Sequence, residues 1–223
     1  MKTLTVTTSK SFGKRIILDD LQLNLQQGEL IGLFGRNGSG KSTLFKIIFG
    51  TLKTNKVQIQ IDSTSYVQKQ IIPQKLIGYL PQDTFLPKRI AVRDLIPLYF
   101  QDEERLDRIF YAPKVSSFET LSPEELSKGQ LKYLQILLIA HLEHPFLMLD
   151  EPFAMIEPLY KDLLKDFLRK LKKKKGLIIS DHYYQDVLEI TDKNFLLKEG
   201  KLHAITDSKE LNEYGYLTRS QIQ

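Results

Sequence analysis

One stretch limits what this 223-residue chain can fold into more than any other: Gly35-Arg36-Asn37-Gly38-Ser39-Gly40-Lys41-Ser42-Thr43. It follows the apolar run at 29–34, which reads as a buried strand, and precedes an apolar helix, Thr43–Phe49, that stops at Gly50. The spacing fits G-x-x-x-x-G-K-[ST] in the strand–loop–helix setting that gives the pattern its meaning. Glycines 35, 38 and 40 let successive backbone N–H groups turn inward as a nest for phosphate oxygens. The helix, opening at Lys41, aims its positive end at the same point. Lys41 offers a point charge toward the β- and γ-phosphates, and the Ser42 hydroxyl is placed to ligate Mg²⁺. Asn37, Ser39 and Thr43 complete the set of candidate contacts. The stretch predicts a nucleotide site at the end of a buried strand.

The rest of the chain supplies elements that suit such a site. Residues 15–26 read as a strand, alternating apolar and polar from Leu21 to Leu25, and 56–62 alternate cleanly as an antiparallel strand. Residues 76–83 read as a strand broken by proline. Helix-like patterning with several prolines fills 86–125 and looks like an inserted helical subdomain. A long helix (about 128–142), a buried strand (146–150), a helix (about 158–173) and a strand (176–180) follow. Another helix (about 183–191) leads to a hairpin turning at Glu199-Gly200, and a short helix opens in a capping box from Asp207 to Glu210. Strands alternating with helices imply an α/β layered domain around a mainly parallel sheet.

Composition narrows the setting. No apolar run reaches the ~18 residues that a membrane-spanning helix needs. The N-terminus lacks the apolar core of a signal peptide. The absence of cysteine excludes disulfides and zinc–thiolate or iron–sulfur sites, and suits a cytosolic protein. A net charge of +5 is mild, and no nucleic-acid partner is expected. The most basic block, Lys172–Lys175, reads as a helix C-terminus where cations meet the negative end of the dipole and Gly176 caps the chain.

Two acids end the apolar strand at 146–150 and its successor, Asp150 and Glu151. Acids at such a place often cap the following helix. Beside a phosphate loop a second reading opens, with Asp150 holding the Mg²⁺ shell and Glu151 orienting the attacking water or accepting its proton. His182, at the end of the 176–180 strand, is either structural or close enough to a γ-phosphate to stabilise the transferring group. His141, His144 and His203 have no such setting and are read as structural.

With these residues in hand the chain resembles the nucleotide-binding subunit of the ATP-binding cassette (ABC) family over nearly its whole length. The family's motifs stand in family order: Phe12 at the aromatic A-loop position, Walker A at 35–43, Gln82 in the Q-loop, the signature Leu126-Ser127-Lys128-Gly129-Gln130, Walker B with Glu151, a D-loop at 154–157, and His182 in the H-loop. The resemblance implies a single domain over 1–223: a P-loop NTPase core with a mainly parallel sheet and an antiparallel β subdomain (about 1–84 and 131–223), and an inserted helical subdomain (about 85–130). It implies Mg-ATP hydrolysis by a head-to-tail dimer, homomeric or heteromeric, in which Ser127, Gly129 and Gln130 of one subunit cover the nucleotide in the Walker A loop of the other. Phe12 would stack on adenine with little selectivity against GTP, Gln82 would sense the γ-phosphate and Mg²⁺, and Ser42, Gln82 and Asp150 would serve the metal.

The expected partner is a separate transmembrane permease subunit, which would place the chain in the cytoplasm on the inner face of the cell membrane. The stretch 93–100, with Tyr99 and Phe100, is the candidate rim of the groove for the permease, or else subdomain core. A non-transport member of the family, of the cluster-assembly type, is the alternative. Three departures from the family pattern stand out: Lys128 for the first signature glycine, Tyr133 for the arginine after the signature, and Glu157 for the aspartate closing the D-loop.

Overall fold

The alternating and the continuously apolar strands sort into separate sheets, as burial on one face or two demands. In the computed structural model, which describes residues 1–54 and 56–217, the strands are β1 (Thr3–Phe12), β2 (Arg15–Gln26), β3 (Leu30–Phe34), β4 (Val57–Ile61), β5 (Thr64–Tyr66), β6 (Ile77–Leu80), β7 (Phe146–Asp150), β8 (Gly176–Ser180), β9 (Lys193–Lys198) and β10 (Lys201–Ile205). The helices are α1 (Lys41–Phe49), α2 (Gln68–Ile71), α3 (Val92–Tyr99), α4 (Glu103–Phe110), α5 (Lys128–His141), α6 (Pro158–Leu171), α7 (Tyr184–Leu188) and α8 (Ser208–Glu213).

One sheet is antiparallel, in the order β2-β1-β4-β5; the other runs β10-β9-β3-β8-β7-β6. In the second sheet β9, β3, β8, β7 and β6 are mutually parallel, and β10 closes one edge antiparallel to β9. Every residue of β3, β6, β7 and β8 is buried, which is why these strands read as unbroken apolar runs. β1 and the three-residue β5 are not foreseen in the sequence, and β1 is the larger miss. Its Leu4, Val6 and Thr8 face inward, an alternation hidden by the many threonines around it.

Three apolar clusters hold the layers together. The first joins the antiparallel sheet and α1 to one face of the parallel sheet. The second lies on the opposite face with α5, α6, α7 and α8. The third gathers Val92, Leu95, Ile96 and Ile109 of α3 and α4 around Tyr133, Leu134, Leu137 and Leu138 of α5. α5 also gives Ile136, Ile139 and Ala140 to the second cluster, so residues 133–140 are buried on every side.

One open alternative is decided and two expectations change in detail. Phe100 is 3% exposed inside the third cluster, so it forms no rim; Leu98 is the apolar side chain that α3 presents outward. Gly176 opens β8 and caps nothing; it sits there because a Cβ would come within 2.8 Å of the Gln26 carbonyl. Lys175 instead does the capping, donating to the Leu142 and His144 carbonyls beyond α5. At α8, Asp207 accepts from the Lys209 and Glu210 N–H groups as expected, but the Glu210 carboxylate reaches back to the Thr206 N–H, one residue earlier than a capping box requires. The turn at Glu199-Gly200 is present, with φ of 52° and 80°.

Candidate nucleotide site

Parallel strands deliver their following residues to one edge of the sheet, and that edge is where ligands bind in such folds. The glycine-rich loop follows β3, Gln82 stands just beyond β6, Asp150 ends β7 and Glu151 follows it, and Asp181 and His182 follow β8. At this edge opens a cleft of about 680 Å³, with Asp150 and Asp181 behind its lining. The loop and α1 give it Asn37, Gly38, Gly40, Lys41, Ser42 and Thr43. The other walls are Gln82, Glu151 and His182 from the parallel strands, and Phe12, Arg15 and Ile17 from the β1–β2 hairpin. Gly35 and Ser39 stand behind this wall; the Gly35 carbonyl accepts from Lys41 Nζ at 2.5 Å, and the buried Ser39 hydroxyl has no partner among the described residues.

Local sequence explains the loop. Gly40, with φ at 113°, ends it as the N-cap of α1, where a Cβ would lie 2.8 Å from an Ile17 methyl. Such a φ favours glycine strongly. Lys41 is 6% exposed, and burial lowers its pKa against the opposing pull of Asp150, Glu151 and Asp181. A cation that stays charged there needs anions around it.

The carboxylates divide by environment. Asp150 is 1% exposed, and burial raises its pKa against the Ser42 and Tyr79 hydroxyls beside it. Tyr79 donates to Asp150 Oδ2 at 3.2 Å, while Oδ1 is buried with no hydrogen-bond partner among the described residues. Glu151 is bent into the left-handed region (φ 54°), with its N–H on the Ser180 carbonyl at 2.6 Å. That backbone, unfavourable by roughly 1–3 kcal/mol for a residue with a side chain, turns the carboxylate into the cleft. There Glu151 Oε1 lies 2.9 Å from His182 Nε2.

A divalent ion fits this donor set. The orphaned Asp150 oxygen, the Ser42 hydroxyl and the Gln82 amide are hard oxygen donors, few enough to leave most of the coordination to phosphates and water, as Mg²⁺ prefers. Among the described residues no group of three or more His, Cys, Asp or Glu side chains forms a cage that would hold a metal on its own.

The signature residues lie apart from this cleft. Ser127 caps α5, its Oγ accepting from the Gln130 N–H at 3.2 Å while Gln130 Oε1 accepts from the Ser127 N–H at 2.8 Å. Gly129 is buried with the Glu157 carboxylate and Tyr160 against its Cα, so no larger residue fits without moving Glu157. The departures find places: Lys128 reaches the Met155 sulfur at 3.4 Å, and Tyr133, 2% exposed, packs on the Tyr160 ring at 5.7 Å. Tyr133 is thus a core residue, its phenol pushed up to about 12 by burial.

Four side chains at the site escaped sequence reasoning. Tyr79 meets Asp150 from the neighbouring strand. Arg15 and Ile17 come from the hairpin, with Arg15 donating to the Gly38 carbonyl at 3.4 Å. Asp181 is fully buried and accepts from the Phe153 N–H at 2.7 Å and the Tyr183 N–H at 3.0 Å, which pins the segments after β7 and β8 to each other. Its place in "SDH" was the available signal.

Known proteins share this plan. A sequence profile described as ABC transporter matches residues 18–154. The lipopolysaccharide export system ATP-binding protein LptB of Haemophilus influenzae is 28% identical over 210 residues, covering 88% of this chain and 86% of that protein. A probable sulfate/thiosulfate import ATP-binding protein, CysA of Chlorella vulgaris, is 27% identical and covers 96% and 94%. Among solved structures, an ATP-binding subunit of an ABC transporter superposes with a TM-score of 0.81 at 23% identity, covering 95% of this chain and 93% of that one. A dimeric ATP-binding cassette in a post-hydrolysis state with ADP and Pi superposes with a TM-score of 0.73 at 22% identity, covering 91% and 97%. The profile spans more than half of the chain, and the chain belongs to the ABC transporter family.

Proposed function

We propose that the chain is the ATP-binding and ATP-hydrolysing subunit of an ABC transporter, working on a separate transmembrane permease. The observation that carries this reading is the Glu151–His182 pair, 2.9 Å apart on the wall that also holds the phosphate loop and Gln82. The loop N–H groups and Lys41 bind the phosphates, and Phe12, 52% exposed at the mouth, stacks on the base. Glu151 orients a water in line with the γ-phosphorus and accepts its proton, and His182 fixes the Glu151 carboxylate and faces the transferring group. Asp150, Ser42 and Gln82 would hold a Mg²⁺ ion, which would supply positive charge toward the phosphate oxygens.

Two features support a two-subunit site. Ser127 and Gly129, at the positive end of α5, lie away from the chain's own cleft, where they suit the γ-phosphate of a nucleotide in a head-to-tail partner. The capping box satisfies the first turn of α5 and keeps Ser127 at its tip. The elements between β6 and α5 make the helical subdomain, with the permease meeting its surface near exposed Leu98. The permease is read as a different chain, at whose cytoplasmic side this one works; among the described residues no helix is long and apolar enough to cross a membrane.

Two variants test the reading. Lys41→Ala removes the buried phosphate cation and should abolish tight Mg-ATP binding by calorimetry. Glu151→Gln should bind Mg-ATP, lose turnover by at least about a hundredfold, and shift to a dimer on gel filtration in ATP. A Glu151→Gln protein that hydrolyses ATP at the native rate would refute the assignment.

A further inference from the structure

α5 meets the nucleotide cleft at a second place besides its N-terminal end. The Lys132 ammonium lies 3.3 Å from the backbone carbonyl of Gln82. Three residues on, and therefore on the same helix face, buried Gln135 donates its side-chain amide to Thr84 Oγ1 at 3.1 Å. Thr84 Oγ1 also accepts from the Leu86 N–H at 3.4 Å. The stretch 82–86 has no helix or strand of its own; these hydrogen bonds, together with Leu86 buried in the third cluster, tie it to α5.

Charge points the same way. Lys132, from α5, shares a cavity with the acids Asp83 and Glu151. A cavity of about 420 Å³ between α5 and the segment after β7 carries Lys132 and Gln135 on its wall and shares Gln82 and Glu151 with the nucleotide cleft. Lys132 itself does not line the nucleotide cleft.

We propose that Lys132 is a positioning residue for hydrolysis: by gripping the Gln82 carbonyl from α5, beside the cavity it shares with Glu151, it sets how Gln82 enters the nucleotide cleft and ties that reach to the helix carrying Ser127 and Gly129. This rests on the ATPase reading above. Gln82 has one end on each side of the arrangement, its carbonyl on Lys132 and its side chain on the cleft wall. A displacement of α5, whose first turn answers to the partner's nucleotide, therefore moves Gln82 against the chain's own nucleotide.

The test compares native protein with Lys132→Met, Lys132→Gln and Lys132→Arg in steady-state Mg-ATP hydrolysis, equilibrium binding of Mg-ATP and thermal melting. Lys132→Met, which removes charge and donor, should lower kcat at least about tenfold with KM and binding within threefold. Lys132→Gln, which keeps a donor, should fall between that value and the native one, and Lys132→Arg should recover at least half of native kcat. Native kcat in Lys132→Met overturns the proposal, as does a loss lying wholly in KM or a failure of arginine to rescue. So does loss of cooperative melting in both the methionine and glutamine variants, which would make Lys132 a part of the fold alone. Native protein that shows no turnover would instead strike the ATPase reading itself.

Discussion

Tyr79→Phe isolates one hydrogen bond in the site. The phenol donates to Asp150 Oδ2 at 3.2 Å, with Tyr79 9% and Asp150 1% exposed, so water cannot replace the donor. The ring keeps its packing on Phe45 and Phe49, at 6.0 and 5.4 Å between centroids, and the loss is a single oxygen. A hydrogen bond to a charged group contributes about 1.5–3 kcal/mol, and the long 3.2 Å separation argues for the lower figure. A cost near 1.5 kcal/mol in a chain of this size lowers the melting temperature by roughly 3–6 °C. Burial already raises the Asp150 pKa above its ordinary 3.8, and the Tyr79 bond pulls it partly back by favouring the ionised form. The bond therefore contributes fully while Asp150 is ionised and fades as pH falls through its titration in the folded state. Paired melts of native and Tyr79→Phe protein from pH 8 downward should show a gap that is widest at high pH and narrows toward acid. A gap that stays constant with pH, or no gap at pH 8, would refute an ionised acceptor at Asp150.

Three further outcomes follow from the same geometry. His182→Ala should cut kcat by at least about a hundredfold and leave Mg-ATP affinity within threefold, read by hydrolysis and by calorimetry. Phe12→Ala, at a half-exposed position, should change stability by less than about 0.5 kcal/mol while weakening ATP and GTP alike by about tenfold, as expected for loss of a stacked aromatic. Gly40→Ala must place a Cβ at φ 113° and 2.8 Å from the Ile17 methyl, and should lower stability by about 1–3 kcal/mol in urea titration along with phosphate affinity.

What could be read from the sequence was local. Gly35 to Thr43 carries its geometry in nine adjacent residues, and Asp150-Glu151 and "SDH" each end an apolar run, so strand end and functional group are written side by side. Tyr79, Lys132 and Arg15 reach the site only through the strand order and the placement of α5, which no spacing along the chain encodes. Residues 93–100 show the reverse: an aromatic pair reads alike whether it lines a rim or fills a core, and α4 and α5 decided it by covering Phe100. β1 was missed because threonine serves both faces of a sheet, and only Leu4 and Val6 mark its inner side.

α5 belongs to two cores at once, and this ranks the chain's openings. The cluster around α3 and α4 can loosen by letting those short helices go while α5 stays seated on the parallel sheet through Ile136, Ile139 and Ala140. The reverse order would expose both cores together. Amide protons of α3 and α4 should accordingly exchange as a group ahead of those in α5, whose protection should follow the global unfolding free energy. The helix that presents Ser127 thus carries the stiffness of the sheet out to its tip, while the segment proposed to meet a permease is the part free to yield.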